Sequence, residues 1–183
     1  MIRTPLRLLV LLAVSVTAIS LVGPAQAAAP YCGITWGSNA EAGSTRLPVP
    51  GAALTAVRAG RHDCYDRLVL DVRGVRSLTT WRAEYVSRVT QDPSGATVAL
   101  RGGAFLQLSL GASQGYRPAH SRELAPVAGF TTFRQVASAG SFEGVTSIGV
   151  GVRARLPFRV VTMTGLPGSA NGVRVVLDVA HRW

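Results

Sequence analysis

The sequence predicts an all-β protein: a β-sandwich of about seven or eight short strands, carrying one disulfide, behind a cleaved signal peptide. Three observations carry this expectation. Twenty glycines and ten prolines among 183 residues punctuate the chain too often for long helices. Between them, short stretches alternate apolar and polar residues with period two, and no segment sustains a helical period. The chain has two cysteines, Cys32 and Cys64, behind what reads as an export signal, and an exported pair is expected to bond.

Residues Met1 to Ala27 read as the signal peptide. Arg3 and Arg7 form the positive start, Leu8 to Val22 the apolar run, and Ala25-Gln26-Ala27 the small-x-small cleavage pattern. The apolar run is shorter than the ~20 residues of a spanning helix, and Gly23-Pro24 interrupts it. Export, cleavage after Ala27 and a mature chain without a membrane span are therefore expected. The mature chain has 156 residues, enough for one ordinary core. A Cys32–Cys64 disulfide would be worth about 3 kcal/mol in the chain-entropy picture. The alternative is a reactive thiol at Cys64 beside His62.

Residues 28–53 read as an irregular N-terminal arm, and 54–183 as the β-sandwich domain. Leu54–Arg58 is the first strand. Arg67–Arg73 is the clearest, with Leu68, Leu70 and Val72 on one face. Arg82–Val89 alternates less cleanly, and the turn Gln91–Gly95 follows. Thr97–Leu110 alternates throughout, placing Val98, Leu100, Leu106, Leu108 and Leu110 on one face, with a bend or bulge at Gly102-Gly103. Ser113–Gly129 is a polar loop. Phe130–Val136 and Val145–Val152 are strands joined by Ser138–Gly144. Phe158–Met163 and Val173–Val179 complete the set.

RLVLDV at Arg67–Val72 is echoed by RVVLDV at Arg174–Val179. Were the two strands antiparallel neighbours, Arg67 would meet Asp178 and Arg174 would meet Asp71. That reading is an exposed, weak charge ladder.

Composition and motifs exclude several functions. At 48% hydrophobic and 15% charged, the chain is not disordered. All 19 basic residues are arginine, giving a formal charge of +10, and +8 beyond Ala27. With so much Ala, Gly and Val, arginine-only basicity matches the codon usage of a GC-rich genome. The arginines are spread along the chain, so nucleic acid is not an expected partner. His62, His120 and His181 lie too far apart for a metal-ligand spacing, and neither metal nor cofactor is expected. Gly111-Ala112-Ser113-Gln114-Gly115 matches the G-x-S-x-G turn of serine hydrolases, with Ser113 as nucleophile. Tyr116-Arg117-Pro118 is a poor helix start, however, and no α/β alternation surrounds it. The densest polar cluster is His62-Asp63-Cys64-Tyr65-Asp66-Arg67. It reads either as a disulfide-tethered hairpin loop or as a ligand-facing rim. His62 and Asp66 from this cluster, Trp81 and Tyr85 as sugar-stacking aromatics, and Glu143 are the candidate ligand-binding residues.

The stretch Val57–Asp71, VRAGRHDCYDRLVLD, resembles the AMIN-like domain of small exported actinobacterial proteins. So do Tyr31–Ser38, Ser141–Val145, Leu156–Val160 and the ending Leu177–Trp183. The resemblance implies a β-sandwich related to the AMIN domains that accompany cell-wall amidases and secretins. It implies a secreted, non-enzymatic envelope module whose partner is peptidoglycan, an attached anionic wall polymer or an envelope protein. It assigns no binding residue to a numbered position. A secreted hydrolase using Ser113 is the competing reading.

Overall fold

The computed structural model describes residues 30–44 and 48–183, so the expected signal peptide lies outside the described residues. Twelve strands lie among the described residues: β1 (Glu41–Ala42), β2 (Ala53–Arg61), β3 (Tyr65–Arg73), β4 (Trp81–Val86), β5 (Val89–Thr90), β6 (Thr97–Val98), β7 (Ala104–Leu110), β8 (Ser113–Gln114), β9 (Phe133–Phe142), β10 (Val145–Val152), β11 (Phe158–Leu166) and β12 (Ser169–Ala180). Eight of them have six residues or more, and β1, β5, β6 and β8 have two each. Sheet I runs β11-β12-β3-β2-β8 and sheet II runs β1-β4-β7-β10-β9. The long strands within each sheet pair antiparallel, and the short β8 joins β2 in parallel.

The period-two pattern decides what lies between the sheets. Leu68, Leu70 and Val72 of β3 and Val175, Leu177 and Val179 of β12 are fully buried. They pack in one core with Leu106, Leu108 and Leu110 of β7 and Ile148, Val150 and Val152 of β10. A slip of one residue in either strand would turn its apolar set to solvent, so burial fixes the register. Strands β3 and β12 are indeed antiparallel neighbours, with Asp178 opposite Arg67 and Arg174 opposite Asp71.

Arg82–Val89 is not one strand, because Val89 leaves β4's sheet to pair in the β5–β6 hairpin, and β9 begins at Phe133 where Phe130 was expected. Two further segments depart from the sequence reading. Thr97–Leu110 is not one strand: it breaks after β6 and resumes at Ala104. The break carries Leu100 over the outer face of sheet II, away from the core that Leu106 enters. Gly149 and Gly151 of β10 make this possible. A Cβ on Gly149 would sit 2.9 Å from both Leu100 and Val89, and one on Gly151 would collide with the Arg101 carbonyl. The little β5–β6 hairpin thus straps part of sheet II. Ser147 Oγ donates to Asp92 Oδ2 at 2.7 Å, and the Asp92 N–H donates to Ala139 O at 2.9 Å. The second departure is the segment Ser138–Gly144. Strand β9 continues to Phe142, and only Glu143-Gly144 forms the turn, both at positive φ as a tight two-residue hairpin requires.

The N-terminal arm is part of the sandwich. Gly37 exchanges both backbone hydrogen bonds with Phe158, at one edge of sheet I. Glu41 Oε2 accepts the Val160 N–H at 2.8 Å. The arm then pairs with β4 at the edge of sheet II, Glu41 opposite Ala83. Cys32 and Cys64 are bonded, with Cα atoms 6.4 Å apart, which ties the arm to the β2–β3 turn and leaves no thiol at Cys64.

Candidate functional site

The sheet faces that do not meet each other differ. The outer face of sheet II carries the β5–β6 strap; the outer face of sheet I carries arginine. Alternation along β2, β3, β11 and β12 brings Arg58, Arg67, Arg73, Arg159 and Arg174 to that face. It brings two carboxylates, Asp71 and Asp178. Arg58 holds Asp71 through two bonds, Nε to Oδ2 at 3.0 Å and Nη2 to Oδ1 at 2.7 Å. Arg67 holds Asp178 in the same forked way, at 2.7 and 2.9 Å. Arg159, from the other side, donates to Asp178 Oδ2 at 3.0 Å. Arg174 finds no carboxylate among the described residues: its Nε donates to Gly165 O at 3.0 Å. The hydrogen bonds to Asp71 and Asp178 raise Arg58 and Arg67 above the ordinary arginine pKa, against the opposing effect of burial.

The echo of RLVLDV therefore yields the expected Arg67–Asp178 pair but not Arg174–Asp71, because Arg58 on the neighbouring strand reaches Asp71 first. Nor is the ladder simply exposed. The Asp178 side chain is fully buried, and Arg67 and Arg159 are 26% and 30% exposed.

Aromatic rings flank the Arg67–Asp178–Arg159 triad. The Arg159 guanidinium lies 5.5 Å from the Trp36 ring centre, and that of Arg67 lies 5.2 Å from Tyr65. Trp36 and Tyr65 tilt against each other at 5.9 Å, and His62 stacks on Tyr65 at 4.6 Å. Arg182 covers Tyr31 at 4.6 Å. Towards the other end of the face, a groove of about 470 Å³ opens between the Arg58–Asp71 pair, Arg73, and Leu166-Pro167.

The five sequence candidates do not converge. His62 stands at the disulfide end, exposed, against Tyr65. Asp66 is fully buried. Its Oδ2 accepts the N–H groups of Thr132 and Phe133 at 2.6 and 2.9 Å, and its Oδ1 lies 3.2 Å from His181 Nε2. It ties the start of β9 to β3. Trp81 and Tyr85 sit on β4 and pack against the core. The Tyr85 hydroxyl donates to Leu156 O at 2.7 Å and accepts the Leu156 N–H at 2.9 Å, and burial raises its pKa. Trp81 lines a cavity of about 260 Å³ with Ala42, Ser109 and Val145. Glu143 is at the β9–β10 turn, at the end of the sandwich opposite the disulfide.

Ser113 Oγ donates to Ala52 O at 3.1 Å and bonds no histidine among the described residues. It lies at the Arg73 end of β3, whereas His181 faces Asp66 at the other end, roughly 23 Å along the strand. No group of three His, Cys, Asp or Glu able to hold a metal occurs among the described residues. No described helix is long and apolar enough to cross a membrane.

Sequence reasoning missed Arg58, Arg159, Arg174, Trp36 and Tyr65 as a group. The alternation of β3 and β12 placed their arginines on a polar face; nothing local showed that β2, β11 and the arm would add theirs to it.

The structure is a disulfide-pinned sandwich with one strapped face and one arginine-rich face. The family model for the AMIN-like domain covers residues 52–181. The chain belongs to the AMIN-like domain family. Such domains are a peptidoglycan-associated, non-catalytic module type of the cell envelope. No curated protein matches the sequence.

Proposed function

We propose that the exported domain binds a cell-wall polymer, peptidoglycan or an anionic glycan attached to it, through the outer face of sheet I, and catalyses no reaction. One observation carries this reading: that face sets five arginines against two carboxylates. Arg73, Arg174 and one of the two guanidiniums on Asp178 are left in excess. Planar guanidinium forks suit the carboxylates of peptide stems and the phosphates of wall polymers. Trp36, Tyr65 and His62 add ring surface beside the cations, where a sugar face can stack. Family membership and the export signal read from the sequence agree with such a ligand.

The test is sedimentation of the folded protein with purified wall, with and without its anionic polymers. Arg73→Ala combined with Arg174→Ala removes two cations that hold no carboxylate among the described residues, so the fold should survive. Binding should fall at least several-fold, and parent binding should weaken as salt approaches ~1 M, where the screening length is about 3 Å. Unchanged binding by the double variant, or no binding at any salt, would overturn the proposal.

A further inference from the structure

One edge of sheet I is only half covered. Along an antiparallel strand, alternate residues turn their N–H and C=O groups to the same side. Phe158 exchanges both groups with Gly37, and the Val160 N–H donates to Glu41. The even-numbered residues of β11 therefore face away from β12. Thr162 and Thr164 continue that row, and no backbone partner pairs with them among the described residues. The arm that covers Phe158 and Val160 has by then crossed to β4.

Proteins usually blunt such an edge with charge, proline or a covering loop. Here residues 161–164 are Val, Thr, Met and Thr, and all four are exposed. Val161 and Met163, 37% and 40% exposed, project from the same outer face. Arg174 completes the constellation. Its bond to Gly165 O brings the guanidinium from β12 out to the edge strand, over a residue with no side chain to screen it.

We infer that Val161–Leu166 is a docking edge for an extended peptide segment of another protein. The segment adds as a sixth, antiparallel strand of sheet I. Its backbone pairs with Thr162 and Thr164, two apolar side chains lie beside Val161 and Met163, and a carboxylate opposite Gly165 meets Arg174. Charge selects the acidic peptide over a second copy of this chain. Two copies edge to edge would bring surplus arginines together on chains that each carry a large positive charge. The inference does not depend on wall binding.

The probe is an acetylated, amidated heptapeptide, Thr-Glu-Thr-Val-Thr-Val-Thr, whose glutamate falls opposite Gly165 in the antiparallel register. It is titrated into the oxidised protein by calorimetry, with amide NMR to locate the contact. Binding should perturb the amides of Thr162 to Leu166. N-methylation of the third and fifth peptide residues, which face β11, should weaken binding about tenfold or more. N-methylation of the fourth and sixth, which face solvent, should leave it within about twofold. Replacing the peptide glutamate by lysine should weaken it by about tenfold as well. Equal binding by both methylated peptides, perturbations centred elsewhere, or no binding up to ~1 mM would each overturn the inference. So would a concentration-dependent dimer abolished by Thr162→Pro, which would make the occupant a second copy.

Discussion

Asp178→Asn is the sharpest test of how the outer face of sheet I is held together. The substitution keeps the shape and removes one buried charge that two guanidiniums share. At contact distance in an effective dielectric near 20, each pair is worth about 4 kcal/mol before desolvation is charged against it. Removing one partner of a buried ion pair generally costs about 3–5 kcal/mol. Arg67 and Arg159 keep a quarter to a third of their surface in water, so both can rehydrate. That brings the expected loss to the low end, about 3 kcal/mol. For a domain of this size the melting midpoint should fall by about 6–12 °C, read by calorimetry and checked by urea titration. The two arginines should not couple equally. Arg67 makes a two-pronged bond and Arg159 meets a single oxygen, so the double-mutant coupling of Asp178 should be larger with Arg67. A loss under about 1 kcal/mol, or stronger coupling to Arg159, would refute the argument.

Leu70→Ala or Leu177→Ala, both at fully buried sites between the sheets, should cost about 2–5 kcal/mol; an unchanged thermal midpoint would contradict the packing. Asp66→Ala should cost about 3 kcal/mol or more, because it strands the buried N–H groups of Thr132 and Phe133. Amide exchange at those two residues should accelerate with it, and unchanged protection would show that another acceptor serves them. Glu41 offers a pH test. Burial raises its pKa above the ordinary glutamate value, while the Val160 N–H and the Arg159 charge work against that rise. The folded state thus binds the proton more tightly than the unfolded chain. The contribution of Glu41 to stability is full below the ordinary glutamate pKa and is lost as pH climbs through the raised one. Glu41→Gln keeps an acceptor for Val160 and does not titrate, so its stability relative to the parent should improve as pH climbs from about 4 through the raised pKa. A difference that stays flat with pH would count against burial as the cause.

The parts of this fold that were legible in the sequence are those governed by period-two burial. Leu68, Leu70 and Val72, with Val175, Leu177 and Val179, announced two core strands; that the two are neighbours stood only as a condition of the Arg67–Asp178 pairing. The disulfide was legible because one cysteine pair leaves one pairing. Val98 and Leu100 were misread because their alternation continues that of Leu106 without a break. Gly149 and Gly151, far along the chain, decide that this segment can lie on the outside of sheet II. The binding face was the least legible part. Its arginines come from β2, β3, β11 and β12, and its aromatics from the arm and β3. Only tertiary pairing puts them on one plane, so Arg159 and Trp36 carried no local signal of belonging together. Asp66 stood out as polar and became a candidate contact, yet its carboxylate is consumed by the backbone of β9.

Strand β12 lies between β11 and β3, although it is the last strand in sequence among those described. Among the described residues, β12 is the one strand that pairs with β11 in sheet I. When the chain is delivered amino end first, β2 and β3 can zip and Cys32 can find Cys64 early. The sheet nevertheless stays in two pieces until residue 180 has arrived. Completion is thereby gated by the final segment: a chain cut short anywhere before β12 leaves Leu68, Leu70 and Val72 with no neighbour on one side. A quality-control protease would meet such a chain with the apolar edge of β3 open, and a finished one with that edge covered by β12.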